Sequence, residues 1–382
     1  MDVYEPQGNM EKALQAKADA MNIPLCGALE LLPLCNMDCN MCYIRHSVSE
    51  LEQPLLHASD WLRMMEEARK AGTLYVLLTG GEPLLYPEFK ELYLKLQEMG
   101  FVLTVNTNGT LFNEEWADFF TSHICKRFNI SLYGASNETY ARLCHNPQGF
   151  TQVMNTLRLL KDRKLPVRLN FTITGENQDD IGKMIKIAKD FDLPFTPVCY
   201  TFPPVRKSGN VNISEIRMSP EAAAKARRDT VLLQVPASER SSRARLFLNQ
   251  LMLPVTPANR TKGFPCHAGL SSYWINWKGN MTACGTMDSL EVDQREKDFQ
   301  AAWQKISTNA KEIPVHEECF CCGLKLFCTS CPAASMGETG RTDGKPQYLC
   351  DMTVSFIRLM IAELPVNEQV FYLSLLNERI PS

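Results

Sequence analysis

The feature that most constrains this chain is a repeated alternation of short apolar runs with longer amphipathic stretches between Ile23 and Tyr200. The apolar runs predict strands at 28–32, 75–79, 102–106, 128–132, 168–172 and 195–199. The amphipathic stretches predict helices at 58–71, 87–99, 114–122, 149–163 and 179–191. Alternation of this kind indicates βα units around a parallel sheet, so the predicted class is α/β. Six units fit a partial (β/α)6 TIM-like barrel better than a closed eight-stranded one.

The remaining sequence divides into three further segments. The chain has 382 residues, which predicts two or three structural units. We expect an N-terminal extension at 1–22, the barrel at 23–205, a helical bridge at 206–262 and a cysteine-rich α+β unit at 263–382. Two short apolar runs flank Lys278-Gly279-Asn280 and predict a hairpin in the last unit, which ends in a helix.

Charge and hydropathy exclude several classes of function. The formal net charge of −3 gives no concentrated basic surface for nucleic acid, and no nucleic-acid partner is expected. No apolar run approaches the roughly 20 residues that a membrane span needs, and the first residues lack a signal-peptide pattern. The predicted location is the cytoplasm, with no membrane partner. Fifteen cysteines are unusual there and indicate metal binding, since cytosolic reductants disfavour disulfides.

The first cysteine group lies directly after the first predicted strand. Cys35, Cys39 and Cys42 supply three thiols within eight residues. Three adjacent soft ligands suit a cubane iron–sulfur cluster whose fourth iron is left open. A zinc knot is the alternative, and it would need a fourth ligand such as Cys26 or a distant histidine.

Three other strand ends carry polar or glycine-rich residues, at the edge where parallel α/β folds place their sites. They are Thr79-Gly80-Gly81-Glu82-Pro83, Asn106-Thr107-Asn108-Gly109 and Ser131-Leu132-Tyr133-Gly134. For the asparagines, simple turn chemistry is the alternative to a functional role, because Asn-Gly is a common turn pair.

The CxxxCxxC loop, followed by Tyr43, and the GGEP turn together resemble the radical S-adenosylmethionine (SAM) superfamily. In that family the open iron chelates the amino and carboxylate groups of SAM, and reduction yields a 5′-deoxyadenosyl radical. The resemblance implies a 4Fe–4S cluster on Cys35, Cys39 and Cys42. It also implies SAM contacts from Tyr43, Thr79, Gly80, Gly81, Glu82, Pro83, Ser131 and Arg142. Asn106 and Asn170, at strand ends that face the same mouth, are further candidates.

The second cysteine group resembles the SPASM extension of the same superfamily. Its members are Cys266, Cys284, Cys319, Cys322, Cys328, Cys331 and Cys350, with Gly279 before the second. One gap departs from the family pattern, because two residues rather than three separate Cys328 from Cys331. A zinc ribbon is the alternative for the two CxxC pairs.

The SPASM resemblance implies two auxiliary 4Fe–4S clusters, which brings the expected total to three. Cys266, Cys284 and Cys331 would bind the first, and Cys319, Cys322, Cys328 and Cys350 the second. Because residues 255–265 contain no cysteine, the first auxiliary cluster is expected to have an open iron, unless Cys321 or another side chain closes it.

These resemblances imply a radical SAM maturase that oxidatively modifies, crosslinks or epimerises a ribosomally made peptide, with an external donor such as flavodoxin or ferredoxin. The roughly 22 residues before the first strand leave no room for a leader-binding domain, so a separate leader-binding protein or a groove on the barrel would be needed. Alternatives are a sulfatase-type formylglycine maturase, a small-molecule dehydrogenase and a non-catalytic electron-transfer protein. Cys199, at the end of the sixth predicted strand, is the candidate hydrogen donor.

Overall fold

The computed structural model describes residues 8–203, 216–255, 262–287, 289–294 and 298–380. Residues 206–215 and 256–261 of the predicted bridge lie outside these ranges. Within the described ranges no helix has both the length and the apolar character needed to cross a membrane.

Six parallel strands form the main sheet, as the apolar runs predict. They are β1 (Cys26–Glu30), β2 (Tyr75–Thr79), β3 (Val102–Thr107), β4 (Arg127–Leu132), β5 (Val167–Thr172) and β6 (Phe195–Val198), and each pairs with the next in chain order. Their carboxyl ends lie at one edge, which we call the mouth. The parallel α/β prediction is confirmed, and similarity to solved structures described below confirms the partial barrel.

Helices connect and cover these strands. They are α1 (Asn9–Met21), α2 (Ala58–Lys70), α3 (Phe89–Glu98), α4 (Glu114–Ser122), α5 (Asn137–Cys144), α6 (Gly149–Asp162) and α7 (Ile181–Asp190). Side-chain caps fix several starts: Asn113 accepts a hydrogen bond from the Trp116 amide, and Ser136 from the Thr139 amide. The periodicity did not predict α5, which has only eight residues.

The sheet continues beyond β1 into the cysteine-rich part of the chain. β7 (Ser272–Ile275) pairs in parallel with β1, and β8 (Asn280–Thr282) and β9 (Val292–Asp293) add antiparallel strands. Gly279 has a φ of 86° in the β7–β8 turn, so the predicted hairpin is confirmed. Gly27 allows the close approach of β7, because a β-carbon there would overlap the Tyr273 ring.

Six more helices complete the described chain: α8 (Pro220–Leu232), α9 (Arg240–Leu248), α10 (Phe299–Glu312), α11 (Pro332–Thr339), α12 (Gln347–Ile361) and α13 (Val366–Asn377). Short 3₁₀ helices occur at Val48–Glu50, Pro83–Leu85, Gln178–Asp180, Ala237–Glu239, Asn249–Met252 and Glu317–Cys319. α12 packs against α8 and so joins the bridge to the C-terminal part. The single final helix of the prediction is thus two helices, α12 and α13.

Candidate active site

The cysteine loop after β1 is held against the GGEP turn after β2 by backbone hydrogen bonds. The Gly81 amide donates to the Leu32 carbonyl at 2.7 Å, and the Glu82 amide donates to the Leu34 carbonyl at 2.9 Å. Gly80 has a φ of 146°, which favours glycine. A β-carbon at Gly81 would lie 2.6 Å from the carbonyl carbon of Leu34. The two glycines are therefore required for the two loops to meet.

The Glu82 carboxylate lies inside this junction and is fully buried. It accepts hydrogen bonds from the Thr107 hydroxyl (2.8 and 2.9 Å), the Asn108 amide (2.8 Å) and the Leu84 amide (3.1 Å). Burial raises the pKa of Glu82 to about 7, against the lowering effect of these donors. The Glu82 side chain thus joins β2 to β3, and the turn's backbone is what faces the cysteine loop.

Replacing Glu82 by Ala is expected to lower the free energy of unfolding of the metal-free protein by about 3–5 kcal/mol, because three buried donors lose their acceptor. Urea denaturation followed by circular dichroism measures this change. Glu91→Ala, at an exposed position on α3, is the control and should alter stability by less than about 0.5 kcal/mol. Equal stabilities of the two variants would contradict the role assigned to Glu82.

Asn108 links this junction to the first cysteine. Its amide nitrogen donates to the Cys35 sulfur at 3.6 Å and to the Asn36 side chain at 2.9 Å. Its carbonyl oxygen accepts the Thr110 amide at 2.8 Å, which is the turn bond expected of an Asn-Gly pair. Asn108 therefore both forms the turn and contacts the cysteine loop.

The other side of the cysteine loop rests on α5 and the segment after β5. The Asn40 amide nitrogen donates to the Glu176 carboxylate at 3.1 Å, and the Asn40 backbone amide donates to the Leu143 carbonyl at 2.9 Å. Arg142 is exposed on α5, and its guanidinium donates to the Glu176 carbonyl at 2.6 Å. The predicted SAM contact Arg142 therefore lies beside the loop, at its outer side.

Tyr133 is a site neighbour that the sequence did not single out. Its hydroxyl interacts with the Ser131 side chain, and Cys39 and Cys42 lie close enough to affect it electrostatically. Burial raises the pKa of Tyr133 well above its ordinary value, so it remains a neutral phenol. The signal for it was present, since Tyr133 follows Ser131 in a strand-end segment.

The three thiols of the loop are close to one another. Burial raises the pKa of Cys35 to about 12, and the proximity of Glu82, Cys39 and Cys42 also acts in this direction. Bound iron supplies the positive charge that keeps such thiols deprotonated, so this donor set fits a 4Fe–4S cluster.

The remaining predicted cofactor residues lie at or near the mouth. Thr79 and Pro83 are buried at either end of the GGEP segment, and Tyr43 is half-buried directly after Cys42. Asn170 pairs in register with Ser131 across β5 and β4. Asn106 accepts a hydrogen bond from Asn129 at 2.6 Å, deeper in the barrel. Their contacts with SAM remain predictions.

The C-terminal cysteines form two neighbourhoods. Cys319, Cys322, Cys328 and Cys350 affect one another electrostatically, and burial raises the pKa of Cys350 to about 12. Cys331 has Cys284 as its thiol neighbour. This grouping is compatible with the ligand sets that the SPASM resemblance implies.

Three further cysteines have surroundings that differ from those of these two neighbourhoods. Cys266 is half-buried in the loop before β7, and Cys321 is exposed beside Cys322. Cys199 is buried in the core, and this burial raises its pKa to about 12, against the lowering effect of the Arg227 charge. Its role as hydrogen donor remains a prediction.

The zinc alternatives can be tested against the geometry. All fifteen cysteines lie in the described ranges, and none forms a disulfide. Across those ranges, no three His, Cys, Asp or Glu side chains converge on one metal-ion position. Each cysteine of a cubane binds a different iron, whereas zinc gathers its ligands around one ion. A cubane cluster and a zinc site therefore require different arrangements of the same thiols.

Sequence comparisons relate the chain to known proteins. Residues 29–188 match the Radical SAM superfamily. The chain is 23% identical over 330 residues to the AdoMet-dependent heme synthase of Methanosarcina barkeri, covering 84% of this chain and 94% of that protein. It is 27% identical over 164 residues to the sporulation killing factor maturation protein SkfB of Bacillus subtilis, covering 43% of this chain and 39% of that protein.

Solved structures share the fold. SuiB of Streptococcus suis bound to S-adenosylmethionine superposes with a TM-score of 0.61 at 16% identity, covering 90% of this chain and 83% of that one. AdoMet-bound anSMEcpe superposes with a TM-score of 0.63 at 17% identity, covering 92% and 99%. The similarity therefore extends through the C-terminal, cysteine-rich part.

Proposed function

We propose that this chain, whose residues 29–188 match the Radical SAM superfamily, is a peptide-modifying radical SAM oxidoreductase. The observation that carries the proposal is the junction of the cysteine loop with the GGEP turn, made by the amides of Gly81 and Glu82. A structural or electron-transfer protein has no need of this second loop.

The chain's own residues would hold the catalytic cofactors as follows. Cys35, Cys39 and Cys42 would bind a 4Fe–4S cluster, and the backbone of Gly80 and Gly81 would face the SAM amino group. Together with SAM, a cluster held there would supply radical chemistry for hydrogen abstraction. The Asn108 hydrogen bond to Cys35 would adjust the cluster's reduction potential.

The C-terminal cysteines would serve electron transfer. Cys319, Cys322, Cys328 and Cys350 would bind one auxiliary cluster, while Cys266, Cys284 and Cys331 would bind another that has an exchangeable position. An external donor such as flavodoxin or ferredoxin would reduce the enzyme. Clusters held by these cysteines would supply the electron-transfer chemistry that oxidation of a substrate requires.

Two kinds of similarity support a peptide substrate. SkfB is a maturation protein, and a PqqA peptide cyclase of Granulibacter bethesdensis is 26% identical over 162 residues. These alignments span only 39% and 42% of those relatives. Structures of SuiB with its precursor peptide SuiA and of anSMEcpe with a peptide share this fold. The proposal also includes a separate leader-binding partner and a newly formed bond in the peptide. Neither of these two parts is drawn from the similarities.

A small, non-peptide substrate is the second candidate. The sequence alignment with the AdoMet-dependent heme synthase covers 94% of that protein, against 39% of SkfB and 42% of the PqqA peptide cyclase. This candidate corresponds to the small-molecule dehydrogenase that the sequence left open as an alternative.

The reconstituted enzyme, with dithionite or reduced flavodoxin, is expected to convert SAM into 5′-deoxyadenosine. Liquid chromatography measures this product, and mass spectrometry of short peptides encoded beside the gene detects substrate change. A peptide mass lowered by two hydrogens supports oxidative crosslinking. SAM cleavage stimulated by a tetrapyrrole and by none of the peptides would instead favour the second candidate, and absence of SAM cleavage would reject both.

A further inference from the structure

Arg227 lies on α8, a helix that packs against β6 of the barrel and against α12 of the cysteine-rich part. Its guanidinium donates a hydrogen bond to the Phe327 carbonyl at 2.7 Å. Phe327 directly precedes Cys328, one of the cysteines proposed to bind the second auxiliary cluster. A single peptide bond therefore separates the acceptor of this hydrogen bond from a proposed cluster ligand.

A second contact fixes the guanidinium from the side of α12. The central carbon of the Arg227 guanidinium lies 4.2 Å from the centre of the Phe356 ring, which is fully buried. Phe356 and Cys350, another proposed ligand of the same cluster, are both on α12. Arg227 is thus held by two segments that each carry a ligand of the second auxiliary cluster.

The charge of Arg227 is not balanced by a carboxylate. In the ranges that the structure describes, no Asp or Glu forms an ion pair with it, whereas the nearby Arg217 pairs with Glu338 and Arg228 with Asp229. Burial lowers the pKa of Arg227, and the ionisable groups whose charges act on it are Cys199 and Cys328. The guanidinium is therefore a partly desolvated cation with thiols as its neighbours.

A cation that has lost hydration requires an anion nearby, and a neutral thiol does not supply one. Cys199 stays neutral, because burial raises its pKa to about 12. A cluster bound by Cys319, Cys322, Cys328 and Cys350 would instead hold four deprotonated sulfurs and be an anion as a whole. An anionic cluster at Cys328 thus fits the unbalanced guanidinium beside it.

We propose that Arg227 is the charge partner of the second auxiliary cluster and raises its reduction potential. This inference rests on the proposed function and adds a residue that determines how readily that cluster takes up an electron. Reduction makes the cluster more negative, and a fixed cation stabilises the more negative state more strongly. Arg227 is a tuning residue in this role and has no contact with the substrate.

The position of Cys199 gives this role a direction. Cys199 follows β6 directly, at the mouth end of the barrel, and Arg227 acts electrostatically on both Cys199 and Cys328. The end of β6 and the proposed second auxiliary cluster are therefore neighbours. By raising the potential there, Arg227 would favour the arrival of an electron from the barrel over its return.

Redox titration followed by electron paramagnetic resonance measures the potentials in reconstituted enzyme, and the second auxiliary cluster is identified as the signal that Cys328→Ala removes. At a fixed solution potential, Arg227→Gln is expected to lower the ratio of reduced to oxidised cluster about tenfold. A unit charge a few ångströms away, at the effective dielectric constant of a protein, is sufficient for a change of this size. Arg227→Lys should retain part of the effect because it keeps the charge.

Arg158→Gln, at an exposed position on α6, removes the same charge and is the control, with an expected change of less than about twofold. The catalytic cluster, whose signal responds to SAM, is an internal control and should likewise change less than about twofold in Arg227→Gln. Circular dichroism and iron analysis verify folding and loading. Arg227→Met, whose apolar chain can pack on Phe356, replaces the Gln variant where the latter fails to take up iron.

A ratio within twofold of the wild type in the variant without the charge would overturn the proposal. An equal fall in the Lys and Gln variants would also overturn it, because packing rather than charge would then be responsible, and so would wild-type enzyme that shows no signal from a C-terminal cluster. SAM cleavage is measured separately. A lowered potential in an enzyme that never cleaves SAM would retain this inference while the proposed function fails.

Discussion

Replacement of Cys35, Cys39 and Cys42 together by Ala is expected to reduce 5′-deoxyadenosine formation to the uncatalysed background. These thiols lie close together in a loop that backbone hydrogen bonds hold against the GGEP turn. Iron should fall from about twelve to about eight atoms per chain, since one of three cubanes is lost. Product chromatography and iron analysis measure the two changes.

The control for this variant is Cys125→Ala, because Cys125 is buried in the core and belongs to neither cysteine group. It should keep both iron content and SAM cleavage. Electron paramagnetic resonance should still detect the C-terminal clusters in the triple variant. SAM cleavage that persists without the three thiols would refute their catalytic assignment, and iron near four in the wild type would refute the auxiliary clusters.

Gly81→Ala is expected to lower the rate of SAM cleavage on the order of 100-fold, because a misplacement of about 1 Å can have this effect. The added β-carbon would meet the backbone of Leu34, which precedes Cys35 directly. Backbone atoms cannot move aside as a flexible side chain can, so the cysteine loop must shift. Single-turnover formation of 5′-deoxyadenosine measures the loss.

Gly182→Ala provides a matched control for this substitution. Gly182 lies in α7, and a β-carbon there would be in ordinary contact with Leu233 at 3.8 Å. This variant should have wild-type activity. A Gly81→Ala enzyme with activity within threefold of the wild type would show that the close approach of the two loops is unnecessary for catalysis.

The sequence by itself determined the strands and most barrel helices, and it predicted the cysteine groups. These features depend on short-range properties, namely the period of apolar residues and the spacing of ligands along the chain. The run at 75–79 became β2 at the same residues, and Lys278-Gly279-Asn280 became a hairpin because a glycine accommodates the positive φ of its turn. The GGEP segment was recognisable because it, too, is a short local pattern of residues.

Tertiary structure decided which distant residues meet. No local pattern says that β7 pairs with β1, that Asn108 reaches Cys35, or that Glu82 is enclosed by donors from β3. Each contact joins segments separated by many residues, and its free energy depends on burial in the folded chain rather than on local propensity. The same holds for Asn106 and Asn129, whose side chains meet because the sheet register places them side by side on β3 and β4.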